Sequence, residues 1–306
     1  MKVAVFGAGG VGAYLGGRLA QVGADVHLIA RGDHLAALRE RGLHVESVAG
    51  DFQVDLPATD DPADVGPVDY VLFTVKAYDT ESAAAQLGPL LDGDTAVITF
   101  QNGVDNEAVI ADTVGPEHVM GGVARIFSTI GEPGVVEHTG GPAEFVFGEL
   151  DGGRSERAAR FLEACERAAG VEPELSTDVQ VAIWEKAAFI CAQSGMTAAV
   201  RLPLGEIRSA PASWAMYRRV IEEVVAVGHA CGVDLPDDTT ERLVAFADGL
   251  EPDVTSSLHY DMTHGKRMEV EALFGAVVRR AGDEGVDVPM NEAVYAILVP
   301  WAVRNG

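Results

Sequence analysis

A glycine-rich turn directly after an apolar strand is the feature that most limits what this chain can fold into. The segment KVAVFGAGGVG spans Lys2 to Gly12, a helical pattern follows over Val11–Val22, and a second strand is predicted over Asp25–Ala30. This order is typical of a dinucleotide-binding unit, in which backbone N–H groups at the helix N-terminus point toward a pyrophosphate. The glycines of the turn are the candidate cofactor-binding residues: Gly7, Gly9, Gly10 and Gly12.

Three of these glycines have a predicted steric role. Gly7 permits a tight turn, Gly9 lets the backbone approach the pyrophosphate, and Gly12 lets the helix pack closely against the strand. A glycine turn that binds no ligand is the alternative, because a G-x-G-x-x-G pattern by itself is weakly specific. The strand before the turn, and the helix and strand after it, favour the nucleotide site.

The residue after the second strand bears on which nucleotide is bound. NAD sites place an acidic residue there for the ribose 2′-hydroxyl, whereas an arginine suits the 2′-phosphate of NADP. This chain has Arg31, and the preceding VHLIA run holds no carboxylate. The sequence therefore favours NADP. NAD stays open as the alternative, because Asp33, two residues further on, is an acidic residue within reach of a ribose hydroxyl. A solvated loop charge is the alternative interpretation of Arg31.

The charge of the chain argues against two classes of partner. The formal net charge is −25, and nucleic acids and anionic membranes both need a local excess of basic residues. Neither is expected as a partner. The sequence has no apolar run of about 20 residues and no signal sequence at its start, which predicts a cytoplasmic protein.

The length of the chain and its cysteines further limit the class of protein that is expected. A chain of 306 residues is long enough for two domains with substantial cores. The three cysteines are far apart and show no metal-ligand spacing, so no metal site is predicted. They are interpreted as buried small hydrophobic residues: Cys165, Cys191 and Cys231.

Two short apolar runs predict further strands of a parallel sheet. Tyr70–Val75 leads into Lys76, and Thr95–Phe100 leads into Gln101 and Asn102. Ligands of open α/β sheets bind beyond the carboxyl ends of the strands, so Lys76 and Asn102 are candidate binding residues. Three further segments are predicted to complete the sheet: His118–Ile130, Gly134–Thr139 and Ala143–Gly148.

Helical spacing dominates after residue 177. Five helices are predicted there: Val179–Val200, Ala212–Cys231, Thr239–Leu250, Leu258–Glu284 and Glu292–Arg304. The predicted fold class is α/β, with an N-terminal Rossmann domain built on a doubly wound sheet over residues 1–177 and an all-α domain over residues 178–306. Two domains with a cleft between them are the architecture expected of a cofactor-dependent enzyme.

Lys186 is the first candidate for chemistry. It stands in the apolar helical segment VAIWEKAAFICA, and the chain has few other lysines. A buried ammonium needs an anionic partner or a pKa lowered by desolvation, and a lysine with a lowered pKa suits general acid catalysis. The alternatives are a lysine whose charge reaches the surface from the helix edge, or one that pairs with Glu185.

Two residues of the segment SSLHYDMTHGKRMEVEALFG are also candidates for substrate binding. Glu269 begins an apolar helical run, where its carboxylate can accept from a substrate hydroxyl. Ser257, twelve residues earlier, can donate to a substrate carboxylate. A solvated helix face is the alternative for most of the other charged residues in this segment.

Six separated motifs, in this order along the chain, resemble those of the ketopantoate reductase (2-dehydropantoate 2-reductase) family. They are FGAGGVGAYLGGRLAQ with Arg31, VKAYDT, QNGVDNE, WEKAAF, TSSLHYD and KRMEVEALFG. The resemblance covers essentially the whole chain. It implies an NADPH-dependent enzyme with a Rossmann domain and a helical domain like that of 6-phosphogluconate dehydrogenase. It also implies that Arg31 and Lys76 hold the 2′-phosphate or the adjacent ribose.

The same resemblance implies roles for the other candidates. Lys186 donates the proton to the ketone oxygen, and Glu269 binds the substrate hydroxyl and orients Lys186. Asn102 contacts substrate and nicotinamide, while Ser257 contacts the substrate carboxylate. The expected partner is a small 2-oxo acid, with ketopantoate first, and a homodimer is the candidate oligomeric state.

The chain departs from the family pattern at three positions. Family members usually carry asparagines four and eight residues after the lysine and before the glycine of the last motif, where this chain has Ile190, Ser194 and Phe274. Fewer amides in the pocket favour a less polar ketone or imine as the alternative substrate. An NADP-binding sensor or structural subunit is the non-enzyme alternative, and Lys186 argues against it because a sensor has no use for a costly lysine.

Overall fold

The computed structural model describes residues 1–306, which group into two units. The first comprises Met1–Gln101 and Asn106–Val179, and the second comprises Asn102–Asp105 and Gln180–Gly306. The short loop Asn102–Asp105 therefore groups with the second unit although its neighbours in sequence belong to the first.

The first unit is built on one ten-stranded sheet. Its strands are β1 (Lys2–Phe6), β2 (Asp25–Ile29), β3 (Leu43–Ser47), β4 (Phe52–Val54), β5 (Ala58–Thr59), β6 (Tyr70–Phe73), β7 (Ala96–Thr99), β8 (Val119–Glu132), β9 (Val135–Glu149) and β10 (Glu172–Leu175). Its helices are α1 (Gly10–Gln21), α2 (Gly32–Arg41), α3 (Thr80–Ala84), α4 (Asn106–Val114) and α5 (Glu156–Glu166).

The strand order is β4-β3-β9-β8-β7-β6-β1-β2-β5, with β10 paired to β9. The run from β8 to β5 is parallel, and β6, β7 and most of β1 are buried on both faces, as expected for a Rossmann sheet. Beyond β8 the sheet continues through the antiparallel pair β8–β9, and β3 joins β9 in parallel. The predicted α/β class is correct, while strand β3 lies far from β2 in the sheet.

The sheet curls around helix α1. An added Cβ at Gly16 would lie 2.6 Å from a Val5 methyl on β1, whereas one at Gly17 would lie 2.7 Å from the Phe52 ring on β4. Strands β1 and β4, which are six positions apart in the sheet order, therefore contact the same helix, and every residue from Gly12 to Leu19 is buried. The glycines of α1 are the residues that allow backbone and strands to approach this closely.

The hairpin β8–β9 differs from its prediction. Gly134–Thr139 and Ala143–Gly148 were expected as two strands, because GGP interrupts the apolar pattern, but both belong to β9. The register with β8 shifts at Arg125/Phe127, and Ala143 adopts a φ of 50°. The irregular residues are thus absorbed as a bulge in one continuous strand.

The second unit is helical, as predicted. Its helices are α6 (Val179–Val200), α7 (Leu204–Ser209), α8 (Pro211–Ala230), α9 (Thr239–Asp248), α10 (Ser257–Thr263), α11 (Ala276–Glu284) and α12 (Pro289–Asn305). The prediction of one helix over Leu258–Glu284 is wrong, because the chain leaves the helix near Gly265, which has a φ of 64°. A π-helical turn over Glu271–Gly275 then leads into α11. Among the helices, none combines the length and the apolar character needed to cross a membrane.

Two of the three cysteines are buried, as expected. Burial raises the pKa of the Cys165 and Cys191 thiols to about 12, so both behave as inert apolar groups. Cys231 is only half-buried. All three are free thiols.

Candidate active site

The glycine turn after β1 is fixed by backbone bonds and close packing. Gly7 has a φ of 96°, and the N–H groups of Gly7 and Ala8 both donate to the Ile29 carbonyl at 3.1 Å. An added Cβ at Gly12 would lie 2.2 Å from Thr74 Oγ1. The tight turn at Gly7 and the close helix–strand contact at Gly12 are therefore both present, as the motif predicts.

Gly9 and Gly10 lack side chains for different reasons. An added Cβ at Gly10 would lie 2.4 Å from the carbonyl oxygen of Ser128, because β8 passes directly against the start of α1. An added Cβ at Gly9 would meet nothing closer than the Gly7 carbonyl at 3.9 Å. The fold requires a glycine at position 10, whereas the open space at position 9 fits a pyrophosphate at the N-terminus of α1.

Two cationic side chains follow strands on either side of β1. Arg31 comes after β2 and stands at the N-cap position of α2, and Lys76 comes after β6; both are exposed. The Arg31 guanidinium donates to the carboxylate of Asp79, which ends the short turn after Lys76. Sequence reasoning missed Asp79, because the residue is remote from Arg31 in the chain and no motif rule connects them.

His34 is a second residue that the sequence did not reveal. Its Nδ1 accepts from the Gly134 N–H at 3.0 Å, so Nε2 carries the proton and donates to the Ala8 carbonyl at 2.8 Å. Burial lowers the pKa of His34, which keeps the ring neutral. The neutral ring ties α2 and the β8–β9 turn to the glycine turn.

In the helical unit, Lys186 lies on α6 and is half-buried. Glu185 and Lys186 are the two charged residues of this helix. Glu185 accepts from Arg242 of α9 and lies 3.5 Å from Thr239 Oγ1. In the alternative in which Lys186 pairs with Glu185, the two cations Lys186 and Arg242 therefore share one carboxylate.

Ser257 is the first residue of α10, and its position depends on its neighbour. Ser256 caps this helix by accepting from the His259 N–H at 3.0 Å. The Ser256 hydroxyl also lies 2.9 Å from the hydroxyl of Thr197, which is fully buried on α6. The helix that carries Lys186 thereby fixes the start of the helix that carries exposed Ser257, and Ser256 and Thr197 were not predicted from sequence.

Glu269 precedes the π-helical turn and is only 8% exposed, whereas Glu271 is exposed. Its carbonyl accepts from the Leu273 N–H at 3.2 Å, so its backbone is part of the turn. A buried carboxylate is costly unless it is hydrogen-bonded. Glu269 is therefore buried where Glu271 is solvated, and Asp261 of the same segment is as buried as Glu269.

Asn102 is half-buried in the short loop that groups with the helical unit. Gly103 has a φ of 117°, which only glycine adopts without strain. Asp105, at the other end of the loop, accepts from Arg280 Nε of α11 at 2.8 Å. The candidate residues Asn102, Lys186, Ser257 and Glu269 therefore belong to one unit, and Arg31 and Lys76 belong to the other.

The three residues that depart from the family pattern differ in how deeply they are buried. Phe274 is 0% exposed and packs on α6, where an added Cβ at Gly195 would lie 2.7 Å from its ring. Ser194 is buried as well, and Ile190 is half-buried. The expectation that all three line a pocket is not met for Phe274, which fills the core.

Models of known protein families show to which family the chain belongs. The model described as ketopantoate reductase PanE/ApbA matches residues 3–152, and the model of the C-terminal part of the same protein matches residues 178–300. The chain belongs to the ketopantoate reductase family. A 2-dehydropantoate 2-reductase of Halobacterium salinarum is 36% identical over 100% of both chains, and one of Archaeoglobus fulgidus is 33% identical over 97% of this chain and 96% of its own.

Solved structures agree with this assignment. A PanE/ApbA family ketopantoate reductase from Ralstonia eutropha superposes with a TM-score of 0.91 at 36% identity, covering 100% of this chain and 99% of its own. Membership in the ketopantoate reductase family confirms the predicted family, the Rossmann-type fold with a helical C-terminal part, and an oxidoreductase of a family that uses NADPH.

Proposed function

We propose that this protein reduces ketopantoate to pantoate with NADPH. Residues 1–177 bind the nucleotide and residues 178–306 bind the keto acid. When bound, NADPH supplies a hydride to the carbonyl carbon of the substrate. Gly7, Gly9, Gly10 and Gly12 form the turn that receives the pyrophosphate.

The remaining nucleotide contacts come from cationic side chains. Arg31 and Lys76 hold the 2′-phosphate or the adjacent ribose. Gly9 supports the placement of the pyrophosphate at the glycine turn, because the fold leaves open space where a side chain would block it.

Residues of the helical unit carry out the chemistry at the ketone. The Lys186 ammonium donates its proton to the carbonyl oxygen as negative charge develops there, and its own charge stabilises that oxygen. Glu269 accepts from the substrate hydroxyl and orients Lys186. Ser257 donates to the substrate carboxylate, and Asn102 donates or accepts at the substrate and the nicotinamide amide.

One observation carries the catalytic proposal: α6 is an apolar helix whose two charged residues are adjacent, and an arginine of α9 binds the other one, Glu185. Lys186 is half-buried in this helix, where its ammonium group can act as a proton donor. It fits the general acid of a carbonyl reduction.

The test follows NADPH oxidation at 340 nm with a panel of ketopantoate, its deoxy analogue, other branched 2-oxo acids and cyclic imines. We expect the highest kcat/KM for ketopantoate, and we expect Glu269→Gln to erase the preference over the deoxy analogue. A wild-type enzyme that prefers an imine or a ketone without a hydroxyl would overturn the substrate assignment. Nucleotide binding without turnover of any compound would favour the sensor instead.

The cytoplasmic location and the homodimer stay predictions. A solved ketopantoate reductase of Staphylococcus aureus is described as dimeric, and it shares the fold at 20% identity. Cell fractionation and size-exclusion chromatography with light scattering test the two predictions separately.

A further inference from the structure

The Arg31–Asp79 ion pair lies where a nucleotide ribose would bind. Arg31 follows β2 and Asp79 follows β6, and both of these strands pair in parallel with β1. The ends of the three strands meet at one edge of the sheet, next to the glycine turn. The carboxylate of Asp79 is therefore beside the arginine to which we assign the 2′ position.

The two partners differ in how firmly they are held. The Arg31 side chain is 80% exposed, whereas the Asp79 side chain is 20% exposed. The backbone of Asp79 is fixed, because its N–H donates to the Lys76 carbonyl at 2.8 Å and its own carbonyl accepts from Ser82 Oγ at 3.0 Å. An exposed pair of this kind stabilises little, so the guanidinium can turn to another anion while the carboxylate remains in place.

A fixed carboxylate acts in opposite directions on the two nicotinamide nucleotides. It can only accept hydrogen bonds, and the 2′-hydroxyl of NADH is a donor. The 2′-phosphate of NADPH carries up to two negative charges, which a carboxylate within a few ångströms repels. Arg31 has the reverse preference, because its planar group of donors matches a phosphate.

We propose that Asp79 is a specificity-determining residue of the nucleotide site: it reduces the preference for a 2′-phosphate and retains affinity for a ribose 2′-hydroxyl. The proposal rests on the proposed nucleotide site at Arg31. Arg31 and Asp79 together form a mixed site, in which the cation binds the phosphate of one nucleotide and the carboxylate binds the hydroxyl of the other. The wild-type preference for NADPH is the balance between them.

The test measures binding without turnover. Isothermal titration of the full-length protein with 2′,5′-ADP and with 5′-AMP isolates the contribution of the 2′-phosphate, and fluorescence titration with NADPH and NADH repeats the comparison. Asp79→Asn should tighten 2′,5′-ADP binding and weaken 5′-AMP binding. The ratio of the two dissociation constants should change by roughly tenfold, as expected when one like charge is removed near an exposed phosphate.

Two further variants serve as controls. Asp94→Asn removes the same charge from an exposed residue just before β7, at the amino ends of the parallel strands and so opposite the glycine turn, and should change the ratio by less than about twofold, because a distant exposed charge is screened. Asp79→Glu keeps the charge and should retain the wild-type ratio, and its thermal melting shows whether substitution at this position is tolerated.

Three outcomes overturn the proposal. Weakening of 2′,5′-ADP binding alone by Asp79→Asn would make Asp79 a support for Arg31 only. Equal ratio changes in Asp79→Asn and Asp94→Asn would reduce the effect to net charge. A wild-type protein that binds neither fragment nor either full nucleotide would overturn the nucleotide site itself, which is a failure of the proposed function rather than of the role of Asp79.

Discussion

The Asp105 carboxylate accepts from Arg280 Nε at 2.8 Å, and Arg279 lies 3.6 Å from its other oxygen. Asp105 ends the loop that begins with Asn102, and both arginines stand on α11. Arg279 also contacts Glu271, at the start of the π-helical turn that follows Glu269. The Asn102 loop and the Glu269 segment are thus connected through one ionic cluster.

This cluster predicts a loss of substrate positioning when Asp105 is changed. Asp105→Asn should raise KM for the keto acid by about tenfold, because a displaced loop misplaces a binding group. The NADPH dissociation constant should rise less, because the other nucleotide contacts that we assign lie outside this loop. Steady-state kinetics and fluorescence titration measure the two quantities. Glu241→Gln breaks a comparable exposed pair with Arg218 and is the matched control. Equal effects from both variants would contradict a positioning role.

Gly9 and Gly10 offer a second comparison between adjacent residues. Gly10→Ala should lower the melting temperature, because its Cβ would lie 2.4 Å from the Ser128 carbonyl oxygen on β8. Gly9→Ala should melt close to wild type but lose NADPH binding, because its Cβ enters the open space assigned to the pyrophosphate. Differential scanning fluorimetry and nucleotide titration separate the two effects. Normal NADPH affinity in folded Gly9→Ala would rule out the assigned position of the pyrophosphate.

Arg31→Ala should weaken NADPH binding by about 1.5 to 3 kcal/mol and leave NADH binding nearly unchanged. The physical reason is the loss of charge-assisted hydrogen bonds to the 2′-phosphate, which NADH lacks. Titration of nucleotide fluorescence gives both constants. If the two nucleotides lose affinity equally, Arg31 does not bind the 2′-phosphate.

Lys186→Ala should lower kcat by roughly 10² to 10⁴, the usual contribution of a general acid, with little change in NADPH affinity. Single-turnover kinetics at saturating nucleotide measure the chemical step. Lys266→Ala removes an exposed lysine from the same unit and should keep wild-type kcat. A Lys186→Ala enzyme with most of its kcat would show that the lysine is structural.

His34 predicts a pH dependence of stability. Its pKa is lowered by burial in the folded protein, so the unfolded chain binds a proton more readily. Folding is therefore favoured above the ordinary histidine pKa of about 6.5, and this contribution is lost as the pH falls through the lowered folded-state pKa. Thermal melts from pH 8 to pH 5 should show a smaller decline for His34→Gln than for wild type. An unchanged slope would contradict the assignment.

The sequence predicted the parts of the fold that depend on local patterns. The glycine turn, the buried strand β6 and helix α6 all follow from apolar runs bounded by turn residues, and α6 coincides with its predicted range Val179–Val200. The pairing of β3 with β9 was not predictable in this way, because no local pattern records which distant strand lies alongside.

The same distinction applies to the candidate site. Lys186 and Glu269 were identifiable because each is a charge in an apolar context. Asp79 and Asp105 instead contact arginines that are remote in sequence. Ser256 caps its own helix and also contacts the remote residue Thr197. Such residues become visible only when the tertiary structure is known.

The pairing of β3 with β9 also determines when the sheet of the first unit can be completed. Ser47 and His138, whose side chains meet at 2.8 Å, are separated by 91 positions. During synthesis, the apolar residues Leu43 and Val45 of β3 emerge from the ribosome well before β9, the strand with which β3 pairs. Because distant pairings form slowly, helix α1 stays incompletely enclosed until β9 has been made. A nascent chain that stops before Val135 already contains every glycine of the nucleotide motif, yet it lacks the strand needed to close the sheet around that helix.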